Sequence, residues 1–153
     1  MSKSNLQAIK DLLDQKNKAS IPYLSVQDLQ KQLSQNSDFI LLDTREKNEF
    51  DVSHLPNAIW VGFENFDIQQ LIIRFPKRTE FVLYCSLGMR SERIGNQLEK
   101  VGYSQLKNLY GGIFQWADQG FQLVNKSGLP TQKVHAYNSH WGQFLTTTEA
   151  VYD

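Results

Sequence analysis

"EFVLYCSLGMRSERIGNQLEKVG", residues 80–102, holds an apolar run, the chain's single cysteine and a helical pattern in one continuous stretch. The run Phe81–Tyr84 has the length and composition of a strand buried on both faces, and Ile94, Leu98 and Val101 recur at the spacing of one helix face. Cys85 therefore stands where a strand ends and a helix begins. In an open parallel sheet that is where ligands bind, beyond the carboxyl ends of the strands.

The pattern repeats outward in both directions. "FILLDT" (39–44) reads as a second doubly buried strand ending at Asp43, "IPYLS" and "NAIWV" as shorter ones, and "QLKNLY" (105–110) as a fifth. Between them, helices are expected over "VQDLQKQLSQ" with Ser25 as cap and over "DIQQLIIRF" with Asp67 as cap, and "GGIFQWADQG" follows the fifth strand. Gly102 falls where a helix stop is needed. Strands alternating with helices over about a hundred residues predict an α/β domain with a mainly parallel five-stranded sheet.

Two segments flank this unit. Leu6, Ile9, Leu12 and Leu13 make residues 4–16 an amphipathic helix, so residues 1–19 form an N-terminal helical extension to a domain spanning 20–124. The tail, 125–153, has no clear period; Tyr137, Trp141, Phe144 and Leu145 are expected to staple it to the domain, and "TTTEAVYD" is expected to fray.

Sixteen basic and sixteen acidic residues balance across the 153-residue chain, which leaves no field to attract nucleic acid or an anionic membrane. A lone cysteine excludes an internal disulfide. The N-terminus interrupts its apolar residues with charge, and no run approaches the roughly 20 apolar residues of a membrane span, so a cytoplasmic protein is expected.

Within the loop, Gly88 permits a partly left-handed turn that would let the amides of Ser86, Leu87, Gly88, Met89, Arg90 and Ser91 converge on one point. Converging N–H groups, a helix N-terminus and Arg90 favour an anion, and so a thiolate nucleophile at Cys85. Such a cradle holds either phosphate or sulfur. Cysteine phosphatases place five residues between nucleophile and arginine; here there are four, Ser86 to Met89.

The loop resembles the Cys-x-x-Gly-x-Arg-Ser active loop of the rhodanese homology family. "LLDTREKNEFDVSHLPNAIWV" is similar to that family's Asp-x-Arg and Glu-[Phe/Tyr]-x-x-x-His-[Ile/Leu]-Pro-Gly-Ala motifs, with Asn57 in place of the usual glycine, and "GGIFQW" resembles its closing Gly-Gly-x-x-x-Trp. The resemblance, over about residues 20–124, implies a three-layer domain with helices on both faces of the sheet. It also implies a sulfurtransferase that moves a sulfane sulfur from a donor such as thiosulfate to a thiol or cyanide through a persulfide on Cys85, with no metal or organic cofactor. The alternative is a non-enzymatic docking or sulfur-carrier module. With no second thiol to resolve a persulfide, the acceptor is external, either a small thiol or a partner protein.

Other residues carry competing readings. Arg90 either meets an anionic donor or pairs with Glu46 or Glu49. Asp43 and Arg45 form a structural ion pair or shape the pocket rim. His54 reads as structural, since transfer by a ready thiolate needs little proton abstraction. His135 and His140 lack a third ligand for a metal. Trp116, Gly111 and Gly112 read as packing residues, the glycines letting backbone pass close to the loop. Of Leu87 and Met89, whichever points outward makes the entrance less charged.

Overall fold

The structure is a computed structural model and describes residues 3–35, 38–137, 142, 144–145 and 148–152. The elements of the expected unit are β1 (Tyr23–Leu24), α2 (Val26–Ser34), β2 (Ile40–Asp43), α3 (Lys47–Val52), β3 (Ile59–Trp60), α4 (Ile68–Arg74), β4 (Glu80–Tyr84), α5 (Met89–Lys100), β5 (Gln105–Leu109) and α6 (Gly112–Asp118), preceded by α1 (Lys3–Lys16). The five strands form one parallel sheet in the order β1-β5-β4-β2-β3.

β4 lies at the centre and alternates its side chains between two cores. Phe81 and Leu83 join Leu71 of α4 and Ile94 and Leu98 of α5 on one face. Val82 and Tyr84 join Ile9 and Leu13 of α1, Val26 and Leu29 of α2, and Ile113, Phe114 and Trp116 of α6 on the other. The result is the three-layer arrangement, with the end of β4 opening between the layers.

Local signals act as their chemistry predicts. The Ser25 side chain accepts from Asp28 N–H, and that of Asp67 from Gln69 N–H. Asn57 adopts φ +68°, a left-handed conformation that asparagine tolerates better than most residues. α3 has no counterpart among the expected helices; it is short and carries little apolar period, and the Glu49 carboxylate anchors its start by accepting from Glu46 N–H at 2.8 Å.

The tail differs from expectation. β6 (Leu123–Val124) pairs with β7 (Pro130–Thr131), joining the segments on either side of residue 125. β8 (Lys133–His135) pairs in parallel with β9 (Glu149–Val151), so "EAV" is held by strand pairing rather than frayed. Among the described tail residues Val134, His135, Ala136 and Phe144 are buried, whereas Tyr137 is 49% exposed; Trp141 lies outside the described residues. Among the described residues no helix is long and apolar enough to cross a membrane.

Candidate active site

β4 delivers Cys85 to the carboxyl edge of the sheet, and α5 starts four residues later. Between them Gly88 takes φ +141°, which turns its own N–H onto the cysteine sulfur at 3.1 Å. Cys85 is 2% exposed, at the floor of a cavity of about 100 Å³ lined by Cys85, Ser86, Leu87, Met89, Arg90 and Tyr137.

Three elements grip the loop from behind. Asn108 of β5 donates from Nδ2 to the Gly88 carbonyl (2.9 Å) and accepts the Ser91 hydroxyl on Oδ1 (2.6 Å); only this amide orientation serves both partners. Ser91 Oγ also lies 3.5 Å from the sulfur. Asn17, just beyond α1, donates to the same Gly88 carbonyl at 3.0 Å. At the start of α6, the N–H groups of Ile113 and Phe114 donate to the carbonyls of Cys85 (3.0 Å) and Ser86 (3.2 Å). Gly112 makes that approach possible: at φ +57°, a Cβ there would stand 2.5 Å from both carbonyl oxygens.

Arg90 holds the front. Its Nη1 donates to Glu49 Oε2 (2.8 Å), and its Nη2 to Glu49 Oε1 (3.0 Å) and Ser86 Oγ (2.9 Å). Of the roles anticipated for it, the geometry shows the brace, with Glu49 and not Glu46 as partner. Burial alone would raise the Glu49 carboxyl, but the Arg90 bonds and charge, with Arg45 adding, outweigh it and hold the group below the usual carboxylate range. Burial likewise disfavours the Arg90 charge, yet the Glu49 bonds and the Cys85 sulfur more than compensate and raise it.

Asp43 and Arg45 do not rim the pocket. Both are wholly buried in a mutual ion pair, Nη2 to Oδ2 at 2.6 Å, and Tyr84 Oη donates to the same carboxylate oxygen at 2.6 Å. Arg45 Nη2 also reaches the Ser53 carbonyl (2.7 Å), so the pair ties the chain before β3 to the end of β2. His54 stacks on Phe50 at 3.8 Å with Nδ1 3.0 Å from the Phe50 carbonyl, away from the cavity lining. His135 is buried, its Nδ1 accepting from Tyr137 N–H at 3.0 Å; His140 lies outside the described residues. Leu87 points into the core and Met89 is the half-buried apolar residue at the mouth.

Asn17, Asn108 and the cavity position of Tyr137 escape sequence reasoning. For Asn108 there is a signal, an amide two residues after Leu106 and so on the same buried side of β5, one residue before the strand end. For Asn17, in a polar stretch, there is none.

Residues 25–119 match the family model of the rhodanese-like domain. The chain belongs to the rhodanese-like family. Over 100 residues it is 32% identical to a sulfurtransferase of Allochromatium vinosum, an alignment covering 65% of this chain and 92% of that protein. It is 31% identical over 97 residues to the adenylyltransferase and sulfurtransferase UBA4 of Meyerozyma guilliermondii, covering 58% of this chain but only 22% of that longer protein. Among solved structures, thiosulfate sulfurtransferase from Pseudomonas aeruginosa superposes with a TM-score of 0.65 at 19% identity, over 92% of this chain and 26% of that one. The rhodanese-like domain of an Anabaena protein does so at 0.63 and 19%, over 68% and 79%. At these identities the structural likeness speaks for the fold. The sequence relatives tie the rhodanese-like chain to sulfur transfer in general.

Proposed function

We propose that this protein is a sulfurtransferase that carries sulfane sulfur as a persulfide on Cys85. The observation that carries the reading is the Cys85 sulfur at the floor of an open cavity, faced by Gly88 N–H at 3.1 Å and seated at the start of α5. A donated N–H and a helix N-terminus both stabilise negative charge on sulfur, which nucleophilic attack requires.

With a donor such as thiosulfate, the Cys85 thiolate attacks the outer sulfur; the donor's S–S bond breaks, its electron pair leaves with sulfite, and a Cys85 persulfide remains. An incoming thiolate or cyanide then attacks the outer persulfide sulfur and returns the Cys85 thiolate. Arg90 and Glu49 keep the loop closed around the sulfur, and no step needs a proton from His54. The chain's one cysteine makes the acceptor external, a small thiol or a partner protein, and its unprotected thiol chemistry suits a reducing compartment such as the cytoplasm.

The test is intact mass after incubation with thiosulfate. One sulfur atom should be gained and then lost to cyanide with thiocyanate formed, and Cys85→Ser should gain none while keeping its fold. Loading without turnover would favour the sulfur-carrier alternative; sulfur gain in Cys85→Ser would end the persulfide reading.

A further inference from the structure

A pocket made for a compact dianion needs cationic charge to spare. Among the residues lining this cavity Arg90 is the cation, and its charge is already matched by the buried Glu49 carboxylate through two bonds. A third bond goes to Ser86 Oγ, and the Tyr137 ring covers the guanidinium, its centroid 4.9 Å from Cζ. What remains to stabilise an anion is the Gly88 N–H, which donates to the sulfur at 3.1 Å, and the N-terminus of α5, which begins at the next residue. They serve the single charge of a thiolate or persulfide. A second charged group further out would meet Met89 and the Tyr137 side chain, with no second cation among the lining residues.

Tyr137 is held in place. Its backbone is left-handed (φ +71°), its N–H is bound to His135 Nδ1 at 3.0 Å, and the preceding Ala136 N–H donates to Val151 across the β8–β9 pairing at 2.6 Å. A bulky residue keeps such a conformation only where its surroundings enforce it. It also lies beyond residues 25–119, so this wall of the cavity comes from outside the family-matched stretch.

We propose that Tyr137, together with Met89, makes the pocket select a sulfane donor whose outer sulfur rides on an uncharged carbon stem, an organic persulfide R–S–SH, over the compact dianion thiosulfate. This rests on the sulfurtransferase reading. The Cys85 thiolate attacks the outer sulfur of R–S–SH, the donor S–S bond breaks with its electron pair leaving on R–S⁻, and the new S–S bond forms on Cys85 with the outer sulfur keeping its proton. Charge and oxidation level balance, and no oxidant enters. The stem lies against Met89 and the ring as it departs.

Persulfides are intrinsically more reactive than thiosulfate, so the diagnostic quantity is how Tyr137 changes the ratio of the two loading rates. Single-turnover loading of Cys85 would be followed by intact mass, with the persulfide of N-acetylcysteine amide and with thiosulfate, on the full chain. Tyr137→Ser should lower the persulfide-to-thiosulfate ratio about tenfold, the scale of one apolar contact in a specificity pocket. Tyr137→Lys, which adds an unmatched cation, should lower it further and make thiosulfate loading fall with added salt. Tyr137→Phe should restore the ratio. Ratios unmoved in the serine and lysine variants, with Cys85 still loading, would overturn the role of Tyr137 alone. Failure of Cys85 to load from either donor would overturn the sulfurtransferase reading and this inference with it.

Discussion

The Arg90 guanidinium grips the Glu49 carboxylate with two parallel bonds, 2.8 and 3.0 Å, joining the first turn of α5 to α3 across 41 residues of sequence. Glu49 is 1% exposed and the Arg90 side chain 17%. The pair thus closes the active loop from the front while Asn108 and α6 hold it from behind.

That pair predicts an acid limit. Because the Glu49 carboxyl is held below its ordinary value of 4.5, its contribution is complete above pH 4.5 and is lost as pH falls through the lower native value. Urea unfolding should show stability declining below pH 4.5. Glu49→Gln should cost about 3 kcal/mol at neutral pH, since it strands a largely buried cation, and its deficit should shrink in acid. Arg90→Lys keeps the charge but loses the fork, and should cost about 1.5 kcal/mol. A Glu49→Gln deficit independent of pH would show that the carboxylate does not supply the stability.

Asn108 is expected to matter for both stability and rate. Asn108→Ala leaves the Gly88 carbonyl to Asn17 alone and frees the Ser91 hydroxyl, which now donates at 2.6 Å. A loss of about 1–3 kcal/mol is expected. Sulfur loading of Cys85 should slow by about tenfold as the loop loses its alignment. Loading at the native rate would mean that Arg90 and α6 position the loop without Asn108.

Gly112→Ala should be among the most damaging single methyl additions. The new Cβ would meet two backbone carbonyl oxygens at 2.5 Å from a left-handed backbone, and neither is a side-chain tip that can swing away. A cost of about 2–5 kcal/mol is expected from overpacking plus backbone strain. Comparison with Gly120→Ala separates the two, because Gly120 has a positive φ and open space around its Cβ position. Equal costs at the two sites would remove the close approach as the cause.

Ring size gives a test of reaction class. Inserting one alanine after Gly88 would give the five-residue spacing of a phosphatase loop but displace the Gly88 carbonyl from its two asparagine donors. Thiosulfate-to-cyanide transfer should fall by about an order of magnitude or more, while binding of phosphate or arsenate rises. The native chain should not hydrolyse an aryl phosphate; brisk hydrolysis dependent on Cys85 would overturn the choice of sulfur over phosphorus.

Much of this molecule is written locally. The alternation of β4, the helix face Ile94–Leu98–Val101, the caps at Ser25 and Asp67, the left-handed Asn57 and the four-residue spacing from Cys85 to Arg90 all follow from neighbours in the chain, because backbone preference and hydrophobic period act over a few residues. Those signals place the sheet, the helices and the nucleophile at the strand end. They do not choose partners across long separations. Whether Arg90 met a donor or Glu49, and whether Asp43 and Arg45 opened to a pocket or sank into the core, depended on which side chains the folded layers brought within hydrogen-bond reach and hid from water. Asn17, Asn108 and Tyr137 come to the active loop from 71 residues before Gly88, 20 after it and 47 after Arg90. Only closure of the chain around β4 decided those contacts, because burial and charge pairing are properties of the assembled layers and not of any one segment.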